Sequence, residues 1–546
     1  GNVSTLVKKV SSLLDEDGPF AQVIDQYEVR ESQREMMRHV AQAFQDHGNL
    51  IVEVGTGGGK SLAYLLAAVY LADETQEPVV VSTNTLNLQD QIYHTELPRL
   101  AESLDVSFTA MRLKGRGNYV CPRRVEVLRK RGNFTDAEAR LLTRVLIWLH
   151  RTQTGDRAEL NLQPDEVSLW SHLTYDADSC TLERCSPFGT CYWLDASRQV
   201  LGAHLIIVNH ALLLADVATE RAALPPYRYL IVDEAHHLEE QATQQFGARV
   251  SQGELYSLLD YLSVEHNGRA RGVLDQIRRA ARDVRSGQRT RDIADHCGLI
   301  ERMVGQARAA VDDMLTVLVD VLASLPRQDQ KQTIHPLDWG GNGWWSSVVR
   351  TVEQFTHCWE SLRVQLGALS ERIGLLGLVD DQWREFRDEC IRMGYDLQRL
   401  ADDVHRILVA PEANDICWVM NHDALSDDEE EVNGSRLSLS RAPLRVADLL
   451  AERLFATKTS VILTSATLSV EGSFTYLREQ LGLEGAQEVT LGSPYEYGAQ
   501  AMAYLVTDLP EPNQPHYAEN LHQALVELAI ATEGRMLVLF TSKSQL

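Results

Sequence analysis

The stretch NLIVEVGTGGGKSLAYLLAAVYLA, residues 49–72, decides the fold class of this chain. Residues 49–54 are rich in β-branched side chains and predict a strand, residues 55–61 cannot hold regular structure, and residues 62–72 predict a buried helix. In a strand–loop–helix unit of this kind, glycines let backbone N–H groups turn toward phosphate oxygens, and the helix N-terminus adds positive potential. The stretch therefore predicts an α/β fold with a phosphate-binding loop.

Two side chains at the end of this loop carry the expected chemistry. Lys60 would reach the terminal phosphates of a nucleotide, and the Ser61 hydroxyl would bind Mg²⁺. The loop departs from the pattern G-x-x-x-x-G-K-[ST] because Val54 stands where the first glycine is expected. The rest of the predicted cradle consists of small residues: Thr56, Gly57, Gly58 and Gly59.

A second stretch, YLIVDEAHHLEE at residues 229–240, delivers two carboxylates at the end of an apolar strand. Ligand sites in α/β sheets lie at the carboxyl ends of strands. We expect Asp233 to hold Mg²⁺ through water and Glu234 to orient the water that attacks the γ-phosphate. The stretch VILTSATLS, residues 461–469, predicts another strand that ends in small hydroxyl residues.

Length and charge limit the function classes. A chain of 546 residues is too long for one core and predicts three or four domains. No apolar run reaches the roughly 18 residues that cross a bilayer, and no secretory signal is visible, so a cytoplasmic protein without a membrane partner is expected. The net charge of −25 argues against a nucleic-acid partner, since a polyanion needs a basic surface.

One segment has the opposite charge. Residues 112–131 contain eight basic residues and one acid, a local charge of +7. The ordinary interpretation of such a run is a solvated helix face. The alternative is a grip on the phosphates of a single strand, with Tyr119 and Phe134 stacking on a base. The basic residues are Arg112, Lys114, Arg116, Arg123, Arg124, Arg129, Lys130 and Arg131.

Four of the eight cysteines form a group in the sequence, whereas the other four are scattered singly and are expected to be buried apolar side chains. In a reducing compartment such a group indicates a metal site, and four thiolates suit either structural Zn²⁺ or an iron–sulfur cluster. Spacing alone does not choose between them. The grouped cysteines are Cys121, Cys180, Cys185 and Cys191.

Taken together, these motifs resemble the superfamily 2 helicases of the DEAH kind, and within them the iron–sulfur group of XPD and bacterial DinG. Arg30 and Gln33 resemble the adenine-reading Q motif, and residues 79–92 resemble motif Ia. Residues 206–216 (IIVNHALLLAD), 464–468 (TSATL) and 492–497 (GSPYEY) are similar to DinG-type blocks. The resemblance covers almost the whole chain.

The resemblance implies an ATP-dependent DNA helicase that opens duplexes in the 5′ to 3′ direction, in repair or replication. It implies ATP, Mg²⁺ and a [4Fe–4S] cluster as cofactors, with Zn²⁺ as the alternative to the cluster. His236 and the TSATL segment would couple the nucleotide to the DNA. The partners would be single-stranded DNA and its junctions with duplex DNA, the location the bacterial nucleoid, and the oligomeric state a monomer. The implied DNA contacts are Thr83, Thr85, Arg112, Lys114, Arg116, Tyr119, Arg123, Arg124, Ser465 and Thr467.

The same resemblance predicts the domain organisation. The first RecA-like lobe would be assembled from residues 28–107, 193–243 and 441–490, after an N-terminal lead of residues 1–27. The iron–sulfur domain would occupy residues 108–192, and a helical insertion similar to the Arch domain residues 244–440. Residues 491–546 would begin a second lobe, with a strand (motif IV) at residues 535–546.

Because motifs V and VI are not in the sequence, slow ATP turnover by this chain is expected. Two other functions remain open. One is a zinc-stabilised nucleotide switch that never moves on DNA. The other is the motor portion of a nuclease-associated protein.

Overall fold

The computed structural model describes residues 6–23, 27–131, 134–174, 189, 191–218, 223–266, 269–283, 287–324, 331–334, 345–376, 381–421, 437–512 and 514–540. The strands in these residues are β1 Leu50–Val54, β2 Val79–Thr83, β3 Ala110–Arg112, β4 Leu205–Asn209, β5 Tyr229–Asp233, β6 Ala248–Ser251, β7 Val264–His266, β8 Arg269–Arg271, β9 Lys331–Ile334, β10 Asp415–Asn421, β11 Leu437–Pro443, β12 Ser460–Ser465 and β13 Gln487–Leu491.

The α-helices of the described residues fall into three groups along the chain. The first group is α1 Leu6–Val10, α2 Pro19–Val23, α3 Glu31–Gln45, α4 Lys60–Thr75, α5 Leu86–Gln91, α6 Leu97–Ser103, α7 Pro122–Arg131, α8 Asp136–Leu149 and α9 Pro164–Trp170. The second is α10 Tyr192–Gln199, α11 His210–Ala218, α12 Leu238–Phe246, α13 Gln252–Leu262, α14 Val273–Asp283, α15 Gln288–Ser324, α16 Trp345–Gly374 and α17 Asp381–Leu408. The third is α18 Ala447–Arg453, α19 Thr475–Leu481, α20 Tyr497–Gln500 and α21 Tyr517–Ala531.

A seven-stranded parallel sheet in the order β13-β1-β12-β5-β2-β4-β3 forms the centre of the fold. Every residue of β2, β5 and β12 is buried, as expected of parallel strands covered by helices on both faces. Alternate residues face opposite sides, so Val79 and Val81 join the core under α3 and α4, whereas Val80 joins the core on the other face. The predicted α/β fold class is confirmed.

The first lobe is larger than the domain boundaries predicted from the sequence allow. The edge strand β3 lies within the segment assigned to the iron–sulfur domain, yet it pairs with β4. The predicted N-terminal lead is also part of the lobe, because Leu6, Val10 and Phe20 are buried in the same core as α3 and α4. Short amphipathic helices at a terminus carry too weak a periodicity to reveal this packing.

The predicted helical insertion contains the long helices α15, α16 and α17, but it also contains a sheet. Strands β6, β11, β10 and β9 pair in that order, all antiparallel. Asn421 pairs with Leu437, so β10 and β11 are antiparallel neighbours. The acidic run at residues 426–434 and the tryptophan-containing residues 335–344 lie outside the described residues.

The predicted motif IV strand is not formed over residues 535–540, which have no regular secondary structure. A strand needs a neighbour to accept and donate its backbone hydrogen bonds, and no described strand pairs with this segment. The preceding helix α21 has no buried residue. Across the described part of the chain, no helix is both long and apolar enough to cross a membrane.

Candidate functional site

The glycine loop forms the expected turn between β1 and α4. Gly57 and Gly59 have φ angles of 81° and 71°, in the left-handed region that favours glycine. The Arg30 guanidinium donates to the Gly57 carbonyl at 2.8 Å, and the Gln33 amide donates to the Gly59 carbonyl at 3.0 Å. A Cβ atom at Gly59 would lie 2.0 Å from Nε2 of Gln33. Arg30 and Gln33 therefore brace the loop in this structure.

A cavity of about 500 Å³ lies beside this loop, within the range of small-molecule sites. Arg30 and Glu35 line it from the α3 side, and Ser493 and Tyr495 line it from the segment after β13. The Ser493 hydroxyl donates to the Thr56 carbonyl at 3.1 Å. A Cβ atom at Gly57 would lie 2.3 Å from Cε2 of Tyr495, so the tyrosine ring packs on the loop.

Asp233 stands at the carboxyl end of β5 and is only 6% exposed. The Tyr64 hydroxyl, on the helix that follows the loop, donates to Oδ2 of Asp233 at 3.0 Å. Burial, and next the neighbouring Glu234 carboxylate, raise the pKa of Asp233 to about 6. With this pKa the Asp233 carboxyl is mostly ionised at neutral pH and takes up a proton in mildly acidic solution.

Glu234 has a φ of 54°, an uncommon conformation for a residue with a side chain. Its Oε1 pairs with the Lys60 ammonium at 2.9 Å, and its Oε2 accepts from the Ser465 hydroxyl at 3.0 Å. Nδ1 of His236 lies 2.6 Å from the same hydroxyl. Burial alone would raise the pKa of Glu234, but the bonds from Lys60 and Ser465 hold it below its ordinary value.

Three adjacent strands, β2, β5 and β12, present polar side chains at their carboxyl ends on the face covered by α4. The period of two places Thr83, Asp233 and Thr464 on that face, with Thr464 in register with Asp233. Within the described residues, the buried hydroxyls of Thr83 and Thr464 have no hydrogen-bond partner. This donor set of hydroxyls and a carboxylate fits hydrated Mg²⁺ and nucleotide phosphates. The prediction that Thr83 contacts DNA is wrong, because its side chain is fully buried.

Part of the predicted phosphate grip is also wrong. Lys114 is fully buried, and its ammonium pairs with Asp156 at 2.7 Å and Asp90 at 3.1 Å. Arg112 pairs with the same two carboxylates and has a side chain only 14% exposed. The Tyr119 hydroxyl, also buried, accepts a hydrogen bond from the Lys114 backbone N–H at 3.1 Å. These groups are committed to a buried ion cluster and cannot reach a DNA phosphate.

The other predicted DNA contacts of this basic segment are buried or half-buried. Arg123 is 4% exposed and pairs with Glu385 on α17 at 2.8 Å, so it joins the cysteine-containing segment to the helical insertion instead of facing DNA. The Arg116 guanidinium lies 4.4 Å from the ring centroid of Trp193. Arg124 is half-buried. A run of like charges in sequence gives no information on which members find acids in the fold.

The first and last of the grouped cysteines border the same small core. Cys121 is buried directly before α7, beside Val120 and Val125 of that core, and Cys191 directly precedes α10, whose Tyr192 packs on it. Thiolates are soft ligands that suit an iron–sulfur cluster or zinc. Cys180 and Cys185 lie outside the described residues, and among those described no group of three or more His, Cys, Asp or Glu side chains forms a metal site.

Four further predicted residues lie at the same edge of the sheet. Ser61 is in the first turn of α4, next to Lys60. Thr85 caps the N-terminus of α5, where its hydroxyl accepts from the Leu88 N–H at 3.2 Å. Ser465 is fully buried in the network around Glu234, and Thr467, two residues later, is exposed. The prediction that Ser465 contacts DNA is therefore wrong for the same reason as for Thr83, whereas the Thr467 side chain is accessible to solvent.

The structure adds two residues that the sequence did not single out, Tyr64 within the site and Glu53 beside it. Tyr64 lies four residues after Lys60, and this helical spacing alone places both on one face of α4. Glu53, in β1, accepts hydrogen bonds from the N–H groups of Leu468 and Ser469 at 2.6 and 2.7 Å. Nothing in the spacing of Glu53 signals a partner more than 400 residues away in the chain.

A parallel sheet, a phosphate loop after β1 and an acidic pair at the end of β5, with β12 between the two strands, define a P-loop nucleoside triphosphatase lobe. Comparison with known proteins identifies the kind. The chain is 30% identical over 543 residues to the ATP-dependent helicase DinG of Mycobacterium tuberculosis H37Rv, covering 94% of this chain and 71% of that protein. The chain belongs to the DinG family of ATP-dependent helicases.

The chain is also similar to other proteins named as helicases or DinG. The chain is 26% identical to the ATP-dependent DNA helicase YoaA of Escherichia coli K12, covering 97% of this chain and 74% of that protein. It is 28% identical to the 3′-5′ exonuclease DinG of Bacillus subtilis, matching 96% of this chain but spanning only 56% of that protein. A solved XPD helicase covers 92% of this chain and 70% of its own, with 11% identity and a TM-score of 0.45. No family model matches the chain.

Proposed function

We propose that this chain is the motor region of a DNA helicase that uses ATP hydrolysis to move on single-stranded DNA and open duplexes. The network of Lys60, Glu234, Ser465 and His236 carries this proposal, because it joins the phosphate loop to the segment after β12 through side chains 2.6 to 3.0 Å apart. A nucleotide at the loop therefore acts on that segment directly. A protein that only binds a nucleotide, without moving on DNA, does not need such a connection.

In this proposal the nucleotide displaces contacts that are already made. The γ-phosphate attracts the Lys60 ammonium away from Glu234, and the freed carboxylate orients the attacking water. Ser61 and Asp233 would hold Mg²⁺, which would neutralise charge on the phosphate oxygens when bound. Tyr64 orients the Asp233 carboxylate for the metal. Arg30 and Gln33 turn from the loop to the adenine in the adjoining cavity.

The DNA would be held across the lobe and the two insertions. The candidate contacts are the exposed Thr467, the N-cap residue Thr85, and the arginines Arg116 and Arg124 of the cysteine-containing segment. The proposed domains are the RecA-like lobe, the cluster domain, the Arch-like insertion and the start of a second lobe. Contacts to phosphates without base readout would make binding sensitive to salt and tolerant of sequence.

DNA-stimulated turnover tests the proposal. In a longer protein that contains motifs V and VI, we expect single-stranded DNA to raise the rate of ATP hydrolysis and duplex DNA without tails to raise it less, because the strand completes the coupled state. Unwinding of duplexes with a 5′ or a 3′ tail then measures direction, and the 5′ tail is the expected substrate. An ATPase rate that ignores DNA at every salt concentration would favour the nucleotide switch instead.

We further propose that Cys121, Cys180, Cys185 and Cys191 hold a [4Fe–4S] cluster. A bound cluster supplies four strong bonds between distant segments, and the chain contributes the thiolates and the small core that Cys121 and Cys191 border. Such cross-links would keep α7 in place against α17.

Iron analysis of protein purified without oxygen measures this directly. We expect about four irons per chain in the wild type, as a Fe₄S₄ centre requires, and loss of iron and colour in Cys185→Ser. Cys358→Ser is the matched control, since Cys358 is half-buried in α16 and should leave iron unchanged. One zinc and no colour in the wild type would assign the cysteines to zinc.

A second candidate function follows from one comparison. The Bacillus subtilis relative is described as a 3′-5′ exonuclease, and this chain spans 56% of its length. The motor would then serve to load or regulate cleavage. Degradation of labelled single strands by a longer protein, lost when the motor's Lys60 is replaced, would support this function.

A further inference from the structure

We infer that Glu53 is a positioning residue that transmits nucleotide binding to the DNA-facing segment 465–469; this inference rests on the proposed motor function. Glu53 lies in β1, two residues before the glycine loop, and its Cα pairs in register with Ser465 of β12. On alternation it faces away from α4, on the same side of the sheet as Ser465. It is not in the network around Glu234.

The Glu53 carboxylate makes an unusual number of contacts to one short segment. Oε2 accepts from the backbone N–H groups of Leu468 and Ser469 at 2.6 and 2.7 Å. The Ser469 hydroxyl lies 3.0 Å from both carboxylate oxygens. Hydrogen bonds to a carboxylate are about twice as strong as neutral ones, and Leu468 is itself buried, so its N–H has no easy exchange with water.

Two carboxylates therefore hold segment 465–469, one at each end: Glu234 contacts the first residue, and Glu53 contacts the last two. At the first end, Ser465 contacts Glu234, whose other oxygen binds Lys60 of the phosphate loop. At the second end, Glu53 fixes Leu468 and Ser469 to the strand below that loop. The exposed Thr467 lies between the two attachments.

This arrangement gives the second attachment a mechanical role. When Glu234 releases Lys60 to a nucleotide, the Ser465 end changes its contacts, whereas the Glu53 end belongs to a central strand and stays fixed. A segment anchored at one end converts a change at the other into a defined displacement of Thr467. Without Glu53, Leu468 and Ser469 are no longer fixed to β1. The same change at Ser465 then moves the whole segment and no longer produces a defined displacement of Thr467.

The test measures coupling between two ligands, which a purely structural role would not alter. The affinity of the chain for fluorescent single-stranded DNA is measured by anisotropy, with and without a non-hydrolysable ATP analogue. In the wild type we expect the analogue to change the DNA dissociation constant by about 5- to 150-fold, the usual range for coupled sites. In Glu53→Ala the ratio should fall to within about twofold of one, with analogue affinity and DNA affinity without analogue each retained within about threefold.

Two further variants sharpen the result. Glu53→Gln keeps an oxygen that accepts both N–H groups, so it should retain most of the coupling. Glu479→Ala removes an exposed carboxylate on α19 and is the matched control. If Glu53→Ala fails to fold, Ser469→Ala removes the hydroxyl contacts alone and should lower the ratio partly.

Wild-type coupling that persists in Glu53→Ala, or in Ser469→Ala if the former does not fold, would overturn the inference. Wild-type protein that binds neither the analogue nor DNA would overturn the motor function instead.

Discussion

Replacement of Lys60 by alanine should reduce ATP turnover by about 100- to 1,000-fold, the usual cost of removing one donor aimed at developing charge. Lys60 is the cation that contacts the acidic pair, at 2.9 Å from Glu234, and a γ-phosphate would take the same position. The variant also leaves Glu234 half-buried without its ion pair. Its pKa should then rise, because burial raises it and Lys60 is the strongest opposing influence.

Steady-state hydrolysis at saturating ATP, together with the affinity for an analogue, measures both effects. Lys9→Ala is the control, since the Lys9 ammonium pairs with Glu74 on the surface at 3.2 Å and should not affect turnover. Turnover within tenfold of wild type in Lys60→Ala would show that the loop does not hold the reacting phosphate.

Replacement of Glu234 by glutamine should lower turnover by about 100- to 10,000-fold, the range for loss of a general base, while nucleotide still binds. The amide keeps the shape of the side chain and can accept from Lys60, but it cannot take a proton from water. Because the variant still binds ATP but does not hydrolyse it, the nucleotide should stay bound. Segment 465–469 should then stay in the conformation that it adopts with bound nucleotide.

Single-turnover hydrolysis and analogue binding separate these two steps. Glu240→Gln is the matched control, six residues further along in α12 and exposed. If Glu234→Gln hydrolyses ATP at near the wild-type rate, the water-activating group lies elsewhere, and Asp233 with its pKa of about 6 is the next candidate.

Much of the nucleotide half of the site could be predicted from the sequence, because it depends on local order. The phosphate loop lies between a β-branched strand and an apolar helix, and its glycines mark it in the sequence. Asp233 ends a buried apolar strand, which is also visible in the sequence. These features need only backbone geometry and the rule that parallel strands end at one edge. The resemblance implies that His236 and the TSATL segment couple the nucleotide to the DNA, and this role stays a prediction; the structure places Nδ1 of His236 2.6 Å from the Ser465 hydroxyl.

The DNA half could be predicted far less well. The predicted phosphate grip of residues 112–131 rests on their local charge, and composition does not show which of the basic side chains pair with acids in the fold. Asp90 and Asp156 come from outside the run and bury Lys114, while Glu385, more than 250 residues later, pairs with Arg123. Whether a lysine faces solvent is decided by acids brought next to it from other elements.

By itself, the sequence determined the α/β class, the phosphate loop with Lys60, the acidic pair and the long helices of the insertion. Each of these depends on periodicity or spacing within a short stretch. Only the tertiary structure decided that Tyr64 holds Asp233, that Glu53 holds Leu468 and Ser469, and that Lys114 is buried. The physical reason is that a hydrogen bond or ion pair is specified by distance in space, and strand order in a parallel sheet places β1 beside β12 although more than 400 residues separate their contacts in the chain.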